Sequence, residues 1–156
     1  MKFFTKSLLL ITLGVSFFAS ADPEKAPVPA SRVKAYEAKV TIPLAGVQPA
    51  QVFVRLQNTG DKPVSLVSVT TNAAEQVVIM QVQAARPDAP KIIPSLLLPA
   101  KTLVDLHKAG PYLLLKGLKT SLQTGDQLHL QLSFSDNTRI EVTAIAKSAF
   151  DQPHHH

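Results

Sequence analysis

Two side chains in the body of this sequence could hold a soft metal ion, the thioether of Met80 and the imidazole of His107. A thioether binds without losing a proton and imidazole binds in its neutral form, so donors of this kind suit Cu(I). Met80 lies in the β-branched run Val77 to Val82, where a lone methionine packs as a core filler as readily as it ligates. His107 follows Asp105 by two residues, which puts both on one face of an extended segment, where surface pairing is a better reading than an acid-base dyad. His129, between Gln127 and Gln131, falls on the polar face of a strand and reads as exposed. His154, His155 and His156 form the densest imidazole cluster, either a native tail or the remnant of an affinity tag, and such a tail suits weak binding of Cu(II), Zn(II) or Ni(II). For catalysis the sequence is poor. It has no cysteine, five histidines, no serine elbow and no carboxylate pair brought together by spacing, so a non-enzyme is expected.

The elements that would position these residues are strands. Leu103 to Lys119 alternates, breaks at Gly110-Pro111 and runs on to Gly117, which predicts two strands joined by a tight turn, with Tyr112, Leu114 and Lys116 on one face of the second. Ala35 to Ile42 and Gln51 to Gln57 read as strands, the latter with Val52, Val54 and Leu56 facing the core. Asn58-Thr59-Gly60-Asp61 predicts a hairpin turn into Val64 to Thr71, with Gly60 supplying a positive φ. Glu75 to Gln83 places Val78, Met80 and Val82 on one face. Arg86 to Pro90 is expected to break the chain, and Ile92 to Leu98, bracketed by Pro94 and Pro99, to form at most a short edge strand. Leu128, Leu130, Leu132 and Phe134 make the cleanest half-buried strand, Ser135 to Asn137 turns it back, and Ile140, Val142 and Ala144 point inward on the last one. No segment has a sustained helical period, and short strands at this spacing predict an all-β, immunoglobulin-like or cupredoxin-like β-sandwich.

Length and composition agree with one domain that has a substantial core: 156 residues, 46% of them hydrophobic. Residues 1–21 combine Lys2 and Lys6, the apolar run Leu8 to Phe18 and Ala19-Ser20-Ala21, the pattern of a secretory signal cleaved after Ala21. A Pro-rich leader over 22–32, the sandwich over 33–147 and a polar, His-ending tail over 148–156 follow. A periplasmic or secreted location is expected. With no cysteine, neither a disulfide nor a lipid-modified cysteine is expected, and the mature chain should carry no stable membrane anchor. Removing the two signal-peptide lysines from 16 basic residues leaves 14 against 11 acidic ones, about +3. The basic residues are scattered and lack an aromatic platform, which argues against nucleic acid. A monomer is expected.

Three stretches, taken in order, resemble the periplasmic copper chaperone family PCu(A)C: FVRLQNTGDK from Phe53 to Lys62, LVSVTTNAAEQVVIM from Leu66 to Met80, and the segment from Gly110 to Asp126 ending in KGLKTSLQTGD. The resemblance implies a cupredoxin-like sandwich that holds Cu(I) with a His, two Met and a final His-x-Met element. Carried over residue by residue, the first His position falls on Met80, an internal Met position near Lys91 and Ile92, and the final pair on Tyr112 and Leu114. The family position is thus substituted, and Met80 is its one remaining soft donor. The resemblance implies copper handling or delivery to a membrane metalloenzyme with a degenerate site. The rival reading is a metal-free interaction module that binds another envelope protein.

Overall fold

A computed structural model describes residues 29–43 and 49–149. Ten strands follow in chain order: β1 (Val33–Ile42), β2 (Ala50–Asn58), β3 (Val64–Thr71), β4 (Ala74–Gln83), β5 (Arg86–Ile93), β6 (Leu96–Leu98), β7 (Leu103–Asp105), β8 (Pro111–Leu118), β9 (Gln127–Phe134) and β10 (Arg139–Ser148). Neighbouring strands run in the order β5-β4-β8-β2-β1-β10-β9-β3-β6, with β7 set against β2 beside β8. The path turns over at β1, which pairs antiparallel with β2 and parallel with β10. Its two halves pack face to face as a sandwich, because one face of each is apolar and must be buried.

The core between the layers follows the two-residue repeat. Val52, Val54 and Leu56 of β2 and Leu113 and Leu115 of β8 meet Leu128, Leu130, Leu132 and Phe134 of β9 and Val142, Ala144 and Ala146 of β10. The register Val142↔Leu130 and Ala144↔Leu128 sets smaller residues beside larger ones on the buried face of the β9–β10 pair. The Ser135 to Asn137 turn is as the sequence predicts, with Asn137 at φ 63°, a conformation asparagine tolerates.

Three expectations about connections are corrected. Asn58 to Asp61 does not close a hairpin: β2 pairs with β1, β7 and β8, while β3 pairs with β6 and β9, so this segment crosses between layers. Gly60 is not among the positive-φ glycines, which are Gly117 and Gly125 among the described residues. Buried Asn58 shapes the crossing instead: its Oδ1 accepts from the Gly60 N–H at 2.9 Å, and its Nδ2 donates to the Lys62 and Leu98 carbonyls at 2.9 and 3.1 Å. Secondly, the two strands and the turn of Leu103 to Lys119 are present as β7 and β8, but the first strand ends at Asp105 rather than His107, and both strands lie on β2. Thirdly, Arg86 to Pro90 continues as strand β5, at the edge of the sheet, where Pro87 and Pro90 need give up no ladder bond.

Candidate functional site

The outward face of β2, β8, β4 and β5 carries the positions singled out above. Residues on β4 and β8 face each other in the register Met80↔Tyr112 and Val78↔Leu114, and Met80 is flanked on its other side by Ile92. Positions 80, 112 and 114, onto which the resemblance carries family ligands, therefore converge. What they build is a second apolar cluster of Val78, Met80 and Tyr112, with Phe53, Val82 and Leu114 packed against it. Phe53 and Tyr112 meet edge to face with ring centroids 6.4 Å apart. Met80 is 8% exposed and Tyr112 6%. Burial raises the Tyr112 pKa, which keeps its phenol neutral and a poor metal donor. Of these three positions only the Met80 sulfur is a soft ligand, so the donor set there does not fit a tightly held Cu(I).

His107 stands in the turn that joins β7 to β8. Its backbone N–H donates to the Pro111 carbonyl and its carbonyl accepts from Gly110, both at 2.9 Å. Its Nδ1 accepts from the Ala109 N–H at 3.2 Å, so a neutral ring carries its proton on Nε2, and Nε2 leans toward Gly110, where an added Cβ would lie 3.0 Å away. To ligate, the ring must give up the Ala109 bond. The turn sits at the end of β4, where the Val82 N–H donates to the Gly110 carbonyl at 3.4 Å. Met80 and His107 thus share one end of the sheet but fall in separate packing groups: Met80 in the apolar cluster, His107 on the wall of a groove.

That groove has a volume of about 600 Å³ on the outward face of β1, β2 and β7. Phe53 lines it and links it to the apolar cluster. Asp105 does not pair with His107, as the sequence suggests; it pairs with Arg55 at 3.5 Å, and Arg55 also reaches Glu37 at 3.2 Å. Glu37 stands at φ 50° in a β1 bulge, where Glu37 and Ala38 oppose Val54 between the pairs Tyr36↔Arg55 and Lys39↔Phe53. Alternation along an unbroken strand gave no sign of this groove; the bulge and the placing of β7 on β2 create it. His129 is exposed on β9, its Nδ1 3.2 Å from the Thr143 hydroxyl, away from this end. His154, His155 and His156, and the signal segment 1–21, lie outside the described residues. Among the described residues no three His, Asp or Glu side chains gather as a metal centre.

The strand order and the two packed layers define an all-β sandwich of the immunoglobulin-like or cupredoxin-like kind. The chain belongs to the LpqE-like family, whose model matches residues 28–146. It is similar in structure to the apo PCuAC domain from PmoF1, with a TM-score of 0.66 and 23% identity over 77% of this chain and 97% of that domain. The copper-bound PCuAC domain from PmoF2 matches with a TM-score of 0.66 and 18% identity, over 77% and 96%. The Cu(I) form of DR1885 from Deinococcus radiodurans matches at 0.61 and 24%, over 83% and 85%. No curated protein matches in sequence. The expected sandwich is confirmed, and the likeness to PCuAC domains is one of fold.

Proposed function

We propose that this chain is a periplasmic or secreted, non-enzymatic copper-handling protein that buffers or passes copper to an envelope metalloenzyme through a degenerate site. The observation that carries the reading is the convergence of Met80, Tyr112 and Leu114 on one face of a fold shared with domains solved with copper bound. Copper here is cargo. Met80 supplies the one thioether at the family position, His107 becomes available when its turn loosens, and His154 to His156 form a separate imidazole site for Cu(II).

Competition against a strong Cu(I) chelator tests this. The expected result is weak Cu(I) binding that Met80→Ile removes, and Cu(II) binding that deletion of residues 154–156 abolishes without changing stability. A single tightly held Cu(I) that survives both Met80→Ile and His107→Ala would overturn the assignment. The second reading, a metal-free module that binds another envelope protein, is favoured by the closed packing of Tyr112 and Leu114 with Phe53, and complete absence of Cu(I) binding would select it.

A further inference from the structure

We propose that the groove over β1, β2 and β7 binds an acidic peptide segment of a partner protein, one that also presents an aromatic or aliphatic side chain. The inference does not depend on copper and stands if no copper binds.

Charge pairing inside the groove sets the sign of the ligand. Six ionisable side chains line it: Glu37, Lys39, Arg55, Asp105, His107 and Lys108. Both carboxylates already face Arg55, at 3.2 and 3.5 Å. Lys39 and Lys108 are exposed and have no acidic partner among the described residues. An incoming base would compete with Arg55 for its carboxylates, whereas incoming carboxylates would pair with two free ammonium groups.

Shape and polarity set the rest. Half-buried Phe53 lies beside Lys39 in register and its ring touches Tyr112, so an apolar anchor placed on Phe53 extends an existing aromatic contact. Thr41 and Gln51 offer side-chain hydrogen bonds along the same trough. Because the groove lies open across exposed strands, it suits an extended chain passing through rather than a small molecule enclosed on all sides. The β1–β2 and β2–β7 backbone ladders form the floor of the trough, and the exposed Arg55 ion pairs lie across it.

Ala149 also lines the groove, so the chain's own residues 150–156, which begin with Phe150 and Asp151, are the rival occupant. The test is an NMR titration of the isotope-labelled chain with a blocked peptide of alternating glutamate and phenylalanine. Saturable amide shifts are expected at Lys39, Phe53, Arg55 and His107 to Ala109. Affinity should fall about tenfold or more when glutamine replaces glutamate in the peptide, or with Lys39→Glu combined with Lys108→Glu, and it should weaken with added salt. Those two lysines are exposed, so their reversal leaves the core untouched. Equal binding of the glutamine peptide, unchanged affinity of the charge-reversed variant, shifts confined to another face, or no saturable shift would each overturn the proposal. Binding seen only after residues 150–156 are removed would make the tail the occupant and overturn the partner reading.

Discussion

Asn58 is where a single substitution should separate the observed crossing from a simple turn. Its side chain makes three hydrogen bonds: it accepts from the Gly60 N–H and donates to the Lys62 and Leu98 carbonyls, and Asn58 itself is 1% exposed. Asn58→Ala removes all three at roughly 1 kcal/mol net each. Water can reach exposed Lys62, but Gly60 is buried, so its N–H is left without the Asn58 acceptor. The expected loss is therefore about 3 to 5 kcal/mol, a large part of a small domain's stability. Urea unfolding would read it as a lower midpoint at unchanged slope. Asn58→Asp is the sharper variant. It keeps an acceptor for Gly60 but sets a carboxylate oxygen against two carbonyls, so it should cost more than alanine near neutral pH and less in acid, where a protonated carboxyl can donate to Leu98. A loss under about 1 kcal/mol for Asn58→Ala, or an Asn58→Asp variant as stable as wild type at neutral pH, would refute the role assigned to this side chain.

Three further outcomes are expected. Leu130→Ala, at a position 1% exposed in the sandwich core, should cost about 2 to 5 kcal/mol in chemical denaturation, and a loss below about 1 would contradict that burial. The Tyr112 pKa is raised by burial, so above the ordinary tyrosine range near 10 the unfolded chain releases a proton that the folded chain keeps. Stability should then fall as pH rises through that range, and the fall should be shallower in Tyr112→Phe; identical alkaline profiles would count against it. Finally, intact mass of exported material should begin at Asp22, and a mass that retains residues 1–21 would remove the signal assignment.

Alternation along single strands was readable from sequence wherever one face is buried by a regular neighbour. Leu128, Leu130, Leu132 and Phe134 all turn inward, and so do Val52, Val54 and Leu56. The resemblance carries Met80 and Tyr112 to one place, and they do lie opposite each other on β4 and β8. Pairing partners were not, because hydrophobic period says which face is buried but nothing about which strand lies alongside. That is why Asn58 to Asp61 reads as a hairpin turn and proves to be a layer crossing, and why nothing in the sequence shows that β7 and β8 both lie on β2. The groove escaped for a related reason. It depends on a bulge at Glu37, where a non-glycine residue adopts a positive φ that no local signal announces, and on the placing of β7, distant in sequence, beside Arg55 of β2.

The parallel pairing of β1 with β10 has a consequence for how the chain comes to be folded. The first and last strands of the described residues lie side by side, with Lys39 opposite Ile145 and Ile42 opposite Ser148, and between them they join the two layers. No intermediate length of polypeptide can make that junction. A chain produced from its N-terminus holds β1 with one border bare until its final strand is released, and the loop to be closed is nearly the whole domain, which makes acquisition of structure late and slow. A nascent chain stalled before Arg139 should be degraded by protease along its length, whereas one extended past Ser148 should resist.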